Sequence, residues 1–223
     1  MEDYPIIVFA TQLRDDHVQS IENVARLAEQ HQWQDLIKVL RDRYDLINMC
    51  SLPKDQSDLP NLTLLTPLHH AVIGKAPKEV FEELLKLHAS RTYKNKEGLT
   101  AYDIGKSNGL DEDILKMIEI PEEIRKQEIE IKNMEEGLHK LILDRVEHLI
   151  QETGIQLPQL SYLFEFGSFL YHVPLMYGSF SVKKAKKDKG IMVESWSRIV
   201  GGSGQRHRIN KKGKIKLKAE GFM

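Results

Sequence analysis

The feature that most constrains the fold is a motif that occurs twice, at a spacing of 34 residues. Thr66 begins the segment "TPLHHA" and Thr100 begins the segment "TAYDIG". Apolar residues recur at helical spacing in the sequences that follow, "APKEVFEELLKLHAS" and "GLDEDILKMIEI". A turn, a short helix and a longer helix that recur at a fixed period are typical of stacked helix pairs, since one pair cannot bury its own apolar face.

A third and less regular unit precedes these two. The segment "IENVARLAEQHQWQDLIKVLRDRYDLIN" has the apolar spacing of two further helices. Its connection to Thr66 is long, and "SLPKDQSDLPNL" carries the Pro, Ser and Asp residues of an exposed loop. The pattern therefore predicts about three helix pairs over residues 18–120, after an N-terminal segment of residues 1–17.

The segment from Thr66 to Ala71 resembles the start of an ankyrin repeat, whose first helix opens with T-P-L-H-x-A. Gly98 stands where that family has a turn glycine, whereas His88 stands where a glycine usually ends the second helix. The resemblance implies an ankyrin-repeat stack that binds protein partners through its β-turn fingers and first helices, with no catalysis. The residues that match this partner-binding face are Lys54, Asp55, Asp58, His70, Lys75, Lys94, Asn95, Lys96, Glu97 and Lys106.

The adjacent histidines His69 and His70 raise the question of a metal or catalytic site, because histidine changes charge near neutral pH. The resemblance implies instead that His69 forms hydrogen bonds between neighbouring turns. Consecutive residues of a helix also point about 100° apart, so the pair is poorly placed to hold one metal ion. We therefore expect no metal and no cofactor here.

A helix or helical hairpin is predicted over residues 121–157, between Pro121 and the glycine at position 154. Its apolar face consists of Met134, Leu138, Leu141, Ile142, Val146, Leu149 and Ile150. Such a helix can cap the end of the stack, which is the interpretation we favour, or it can dimerise as a coiled coil. Gly137 and the irregular start argue against long heptads, so we expect a monomer.

Within residues 158–223, from Ser168 onward, the sequence has the short alternating segments of β-strands, separated by turn residues. These segments are "SFLYHV", "SFSVKKA", "GIMVESWSRIV", "QRHRIN" and "KIKLKA". They predict a small antiparallel sheet packed on the long helix, with Ile215 and Leu217 facing the core. The predicted fold class is therefore α+β, a mainly α stack with a capping helix followed by a small antiparallel sheet.

The basic residues are concentrated in this last domain. Residues 181–223 contain 13 lysines and arginines against three acidic residues, and the rest of the chain contains 19 against 30. Basic strands with interleaved aromatic residues fit nucleic acid or another anionic surface, which is the alternative function. The candidate anion-binding residues are Arg198, Arg206, Arg208, Lys211 and Lys212. We expect the acidic part of the chain to neutralise some of this charge.

An enzyme with a site around residues 201–207 is the other alternative, because "VGGSGQRHR" places Ser203 and His207 near Glu194 in the sequence. The segment lacks the phosphate-binding G-x-x-x-x-G-K-[ST] pattern and the hydrolase G-x-S-x-G pattern. A glycine-rich hairpin loop explains it more simply, so we do not expect an enzyme.

The remaining features concern location. No apolar run is long enough to span a membrane, and the early "PIIVFA" is too short for a secretory signal. Cys50 is the only cysteine, which suits a reducing compartment, and we expect a cytoplasmic protein. "VPLMYGSF" and "ESWSRIVGGSGQRHRI" resemble the C-terminal extension of certain bacterial ankyrin-repeat proteins. This resemblance implies a bacterial source but brings no assigned activity. In a bacterial setting the protein-binding hypothesis has two versions, an effector delivered into a host cell to engage a host protein or an immunity-type inhibitor of a toxin.

Overall fold

The computed structural model describes residues 2–3, 7–186, 189–198 and 203–221. The chain divides into two compact units, Ile7–Pro121 and Glu122–Met223 with Met1–Ile6. The predicted α+β class is confirmed, since the described ranges contain nine α-helices and then a sheet whose five C-terminal strands are antiparallel.

The first unit contains three successive helix pairs. These are α1 (Asp15–Glu29) with α2 (Trp33–Asp42), α3 (Pro67–Ile73) with α4 (Lys78–Lys86), and α5 (Ala101–Ser107) with α6 (Glu112–Ile118). The first helices contact one another in the order α1, α3, α5, and the second helices in the order α2, α4, α6. The pairs therefore lie side by side, and one apolar core that includes Leu36, Leu68 and Phe81 runs through them.

The two copies of the sequence motif start their helices with the same backbone conformation. Thr66 and Thr100 both have φ −82° and ψ 167°. The backbone N–H of Thr100 donates to Asp103 Oδ2 at 2.9 Å, and that of Thr66 donates to His69 Nδ1 at 3.3 Å. In both cases the side chain three residues after the capping threonine accepts a hydrogen bond from the backbone N–H of that threonine. This bond is one half of a capping box. The sequence repeat is thus a repeat of local structure.

Two positions between α4 and α5 have left-handed backbone conformations. Gly98 has φ +78°, as its place in the motif predicts. His88, which stands at the predicted helix-ending position, has φ +68°. A non-glycine residue in this region costs about 1–2 kcal/mol, so this helix end is less favourable than one with glycine.

The second unit consists of three helices and a six-stranded sheet. The helices are α7 (Glu122–Arg125), α8 (Glu128–Thr153) and α9 (Ser161–Phe166), and the strands are β1 (Glu2–Asp3), β2 (Ser168–His172), β3 (Gly178–Lys184), β4 (Ile191–Ser197), β5 (Ser203–Ile209) and β6 (Ile215–Gly221). The strands follow one another across the sheet in chain order, and β1 pairs parallel with β2. The helix or helical hairpin predicted over residues 121–157 corresponds to the two helices α7 and α8, and α8 has a kink at Val146.

One face of the sheet packs on the helices. Phe169, Phe180, Val193 and Ile209 are buried on this face, where α8 contacts β5 and α9 contacts β2 and β3. The predicted apolar face of α8 is buried as well, apart from the half-buried Ile150, whereas Ile129 at the start of the helix is exposed. The predicted packing of the sheet against the long helix is confirmed, and it occupies the face that a coiled coil would need.

The prediction for β6 is only partly right. Ile215 is half-buried, but Leu217 is 45% exposed. β6 is an edge strand of the sheet, and a bulge between Arg206 and His207 shifts its register on β5. An edge strand with a bulge has neighbours on one side only, so alternation in the sequence does not guarantee burial.

Candidate binding surfaces

Two loops of the first unit are joined by one lysine side chain and form what we call the finger surface, residues 54–63 and 94–99. The backbone N–H of Lys96 donates to Thr63 O at 3.0 Å. Its ammonium Nζ donates to Leu59 O at 3.0 Å and also to Pro60 O. Three hydrogen bonds from one residue therefore hold the two loops together.

The second of these loops is shaped by Asn95. Its Oδ1 accepts hydrogen bonds from the backbone N–H groups of Glu97 and Leu99, at 3.0 and 2.9 Å. The backbone N–H of Asn95 also donates to Leu99 O at 2.9 Å. Asn95, predicted as a partner contact, therefore has a structural role. Leu99 is 38% exposed on the same loop, and the sequence around it gives no signal of this.

The first loop uses its acidic residues internally as well. Asp58 Oδ2 accepts from the backbone N–H of Lys54 at 2.8 Å. Asp55 Oδ1 accepts from the backbone N–H and the hydroxyl of Ser57, at 2.7 and 2.6 Å, and these bonds hold the pKa of Asp55 below its usual value. Both carboxylates thus stabilise turns, while Lys54 is exposed at the surface.

The other predicted partner contacts lie on α3, on α5 and in the turn after α3. Lys75, which follows α3, and Lys106 in α5 are exposed. His70 is half-buried, and burial lowers its pKa, with smaller opposing effects of Glu29 and His31. Because Glu29 and His31 both influence its pKa, His70 lies near the end of α1 rather than on the finger surface.

His69 is a buried link between α3 and the loop before α5. Its Nδ1 accepts from the backbone N–H of Thr66 and lies 2.8 Å from the hydroxyl of Thr66. The hydrogen-bond network then assigns the proton to Nε2, which donates to Leu99 O at 3.3 Å. Burial lowers the pKa of His69 to about 4. With both ring nitrogens bonded, His69 is not available to a metal ion, and no cluster of three or more metal-ligating side chains occurs in the described part of the chain.

The second surface is the face of the sheet opposite α8, which we call the open sheet face. Trp196 is 38% exposed there, and the guanidinium of Arg198 lies 5.2 Å from the centre of its ring. Glu194 forms ion pairs with Arg206 at 2.8 Å and with Lys183 at 3.3 Å. An aromatic ring flanked by cations can hold a base or another flat group by stacking.

A group of positive charges lies at one end of this face. The pKa of Lys218 is lowered by Arg208 first, then by Lys216 and, more weakly, by Lys189. In the described ranges, none of these four side chains forms an ion pair with a carboxylate. Lys216 lies directly opposite Arg208 in the register of β6 on β5, a pairing that the sequence alone does not specify.

The predicted anion-binding residues do not form one site. Arg198, Arg206 and Arg208 belong to the open sheet face, whereas Lys211 and Lys212 lie in the turn between β5 and β6. Lys211 Nζ lies 2.9 Å from Glu130 of α8. This pair joins the basic segment to the acidic part of the chain, as the charge distribution predicts, whereas Glu194 forms its pairs within the basic segment itself.

The β4–β5 register separates the residues of the candidate triad. Glu194 lies opposite Arg206 and His207 lies opposite Val193, so Glu194 and His207 project from opposite faces of the sheet. Ser203 lies opposite Ser197, four residues or about 13 Å along the strand from His207. The three side chains therefore do not assemble a triad. Gly201 and Gly202 of the predicted loop lie outside the described residues.

Two further observations bear on the assignment of these surfaces. None of the helices in the described ranges combines the length and the apolar character that crossing a membrane requires. No protein-family model, no curated protein and no solved structure matches this chain.

Proposed function

We propose that the first unit is an ankyrin-type repeat stack that binds a protein partner without catalysis. The observation that carries the proposal is the finger surface, because Lys96 orders two loops that otherwise have little regular structure. The matching caps at Thr66 and Thr100 support the repeat, as does the order in which the helices pack. Ordered loops at the edge of a helix stack suit binding, because little conformational entropy remains to be lost.

The chemistry of the finger surface favours a polar partner surface with one apolar contact. Lys54, Lys94 and Glu97 are exposed and charged, and Leu99 is the exposed apolar residue beside them. Charges of both signs around a small apolar contact steer association and select the partner more than they add affinity. The partner class is therefore a folded protein with a complementary charged surface.

The test is site-specific photo-cross-linking with the full chain. A photoreactive residue at Glu97 or at Leu99 is expected to capture one discrete protein from a lysate of the source cells. The same residue at Glu82, which is exposed on α4, is the matched control and is expected to capture nothing in common. Equal capture from α4 and from the finger surface contradicts the proposal.

Lys96→Ala tests whether binding of the partner requires the loop order that the Lys96 side chain provides. Each lost hydrogen bond from a charged group is expected to cost about 1.5–3 kcal/mol, so affinity for the captured protein should fall about tenfold or more. Circular dichroism should show unchanged helix content, because the variant alters loops only. Unchanged affinity with this variant shows that the ordered finger surface is not the binding site.

We propose single-stranded nucleic acid binding by the open sheet face as a second candidate function. The observation that favours it is the exposed indole of Trp196 under the guanidinium of Arg198, with Arg208, Lys216 and Lys218 on the neighbouring strands. Bases stack on aromatic rings, and a phosphate near Lys218 relieves the repulsion among the cations.

This candidate predicts a specific pattern in fluorescence anisotropy with labelled single-stranded DNA and RNA over a salt series. Trp196→Ala is expected to weaken binding by about 1–3 kcal/mol per stacked base. Replacing Arg208, Lys216 and Lys218 together by glutamine should weaken it further and reduce the salt dependence. The control is the same charge change at Lys78, Lys86 and Lys116, which are exposed in the first unit. An equal loss in the control, or no binding at about 0.15 M salt, rejects this function.

A further inference from the structure

A cleft with a volume of about 570 Å³ lies between α8 and strands β5 and β6, on the covered side of the sheet. Lys140, Asp144 and Arg145 line it from α8, and Gln205 and His207 line it from β5. The cleft is separate from the open sheet face and from the finger surface. Its volume is sufficient for a small organic molecule.

Two of the residues that line this cleft each carry a buried side-chain nitrogen without a hydrogen-bond partner. These atoms are Arg145 Nε and His207 Nδ1, and among the described residues no other buried side-chain nitrogen or oxygen lacks a partner. His207 as a whole is 8% exposed. Leaving such an atom unpaired costs about 1–3 kcal/mol, so two of them in one place indicate groups that a ligand satisfies.

The charge of Arg145 is also uncompensated. Its guanidinium donates to Gln205 Oε1, which is neutral, and no carboxylate of the described chain lies within ion-pairing distance of it. Burial lowers the pKa of Arg145, as expected for a cation that has lost water without gaining an anion. The next residue, Val146, has φ −143° and ψ 27°, so α8 changes direction beside the cleft.

We propose that this cleft binds a small molecule through a carboxylate or phosphate group, whose oxygens accept hydrogen bonds from Arg145 Nε and His207 Nδ1. A guanidinium is the group best suited to hold an oxyanion of this kind. Leu141 and Ile215 add an apolar wall, which suits a ligand with a nonpolar portion next to the anionic group. Asp144 repels additional negative charge, so a ligand with one anionic group fits better than a polyanion.

Ligand binding should change the pKa of His207, and no such change is expected if Arg145 has only a structural role. Burial is the largest influence on the pKa of His207 and lowers it. The charge of Arg145 lowers it further, and that of Glu220 in β6 raises it. An anion at Arg145 offsets the charge of the guanidinium, so the pKa of His207 should rise when the ligand binds. Lys140 and Asp144 face the same cleft, but their charges are present with and without ligand.

The test is a titration of the full chain followed by NMR of the His207 ring, assigned through the loss of its signal in His207→Gln. Inorganic phosphate and butyrate are the two probes, used separately. We expect a saturable shift and an upward change in the pKa of His207 with at least one of them. Response to phosphate alone identifies a phosphate site, and response to butyrate alone identifies a carboxylate site.

Arg145→Gln is expected to weaken the binding at least tenfold, and Arg145→Lys, which keeps the charge but lacks Nε, should do the same. Either variant suffices if the other fails to fold. Lys132→Gln, at an exposed position of α8 outside the cleft, should bind like the unchanged protein. No saturable shift with either probe, or equal affinity in a folded Arg145 variant, overturns the proposal.

Discussion

Acidification from pH 7 to pH 4 is expected to destabilise the first unit by about 3 kcal/mol through His69 alone. Burial lowers the pKa of this side chain to about 4 in the folded protein, whereas the unfolded chain binds the proton near pH 6.5. Because the folded value is the lower one, the contribution is fully present above pH 6.5. It is lost as the pH falls toward 4, and the difference between the two values corresponds to about 3 kcal/mol.

His69→Gln separates this effect from other titrations. Glutamine does not titrate, and at the third helical position it can still accept from the N–H of the capping threonine. The chain has two tryptophans, one in each unit, so Trp196→Phe leaves Trp33 as the reporter of the first unit. Urea unfolding at several pH values is then expected to show a steep loss of stability on acidification when His69 is present and a shallower loss in the H69Q variant.

His148→Gln is the matched control, because this histidine is exposed on α8 in the other unit. It should leave the pH dependence measured through Trp33 unchanged. His70→Gln should remove a smaller part of the pH dependence than His69→Gln does, since burial also lowers the pKa of His70. An H69Q protein that keeps the full pH dependence shows that another group is responsible.

The repetitive parts of the fold could be predicted because each depends on local sequence. Thr66 and Thr100 mark helix starts through bonds that span three residues, and Gly98 marks a turn through its own φ angle. Alternation and turn residues likewise predict the strands, and β2 to β6 occur where this pattern places them. Local signals sufficed for these elements.

The contacts that build the candidate sites could not be predicted, because they join distant segments of the chain. Lys96 bonds to carbonyl groups of residues 59, 60 and 63, which nothing in its own sequence neighbourhood indicates. Arg145 meets Gln205 and His207 only after α8 has docked on β5. Leu217 is exposed for a related reason, since the bulge and the sheet edge decide its burial.

The docking of α8 rests on a glycine in the middle of the helix. A Cβ atom at position 137 would lie 2.6 Å from Gly213 O and 2.8 Å from Ile209 Cγ2. The nearer of these atoms belongs to the backbone of the β5–β6 turn, and Asn133 Nδ2 holds this turn to α8 through Lys211 O at 3.3 Å. The turn therefore cannot move away from a side chain at this position without losing contacts of its own.

Gly137→Ala is expected to destabilise the second unit by about 1–3 kcal/mol, the usual cost of an overpacked contact. The direction of the change is diagnostic, because glycine to alanine in an exposed helix interior stabilises a protein by about 0.5–1 kcal/mol. Urea unfolding of a Trp33→Phe background reports this unit through Trp196.

Gly105→Ala in α5 is the matched control. A Cβ there would meet only side-chain atoms, Leu110 Cδ2 and Leu115 Cδ2 at 3.1 Å and Val72 Cγ1 at 3.3 Å, which can rotate away. Gly105→Ala should therefore change the free energy of unfolding less than Gly137→Ala does, as measured through Trp33 in the Trp196→Phe background.

Because Gly137 sets how closely α8 approaches β5, Gly137→Ala should also shift the NMR signal of the His207 ring. Gly105→Ala should leave this signal in place. A Gly137→Ala protein that is more stable than the parent contradicts the close approach of α8 to the turn.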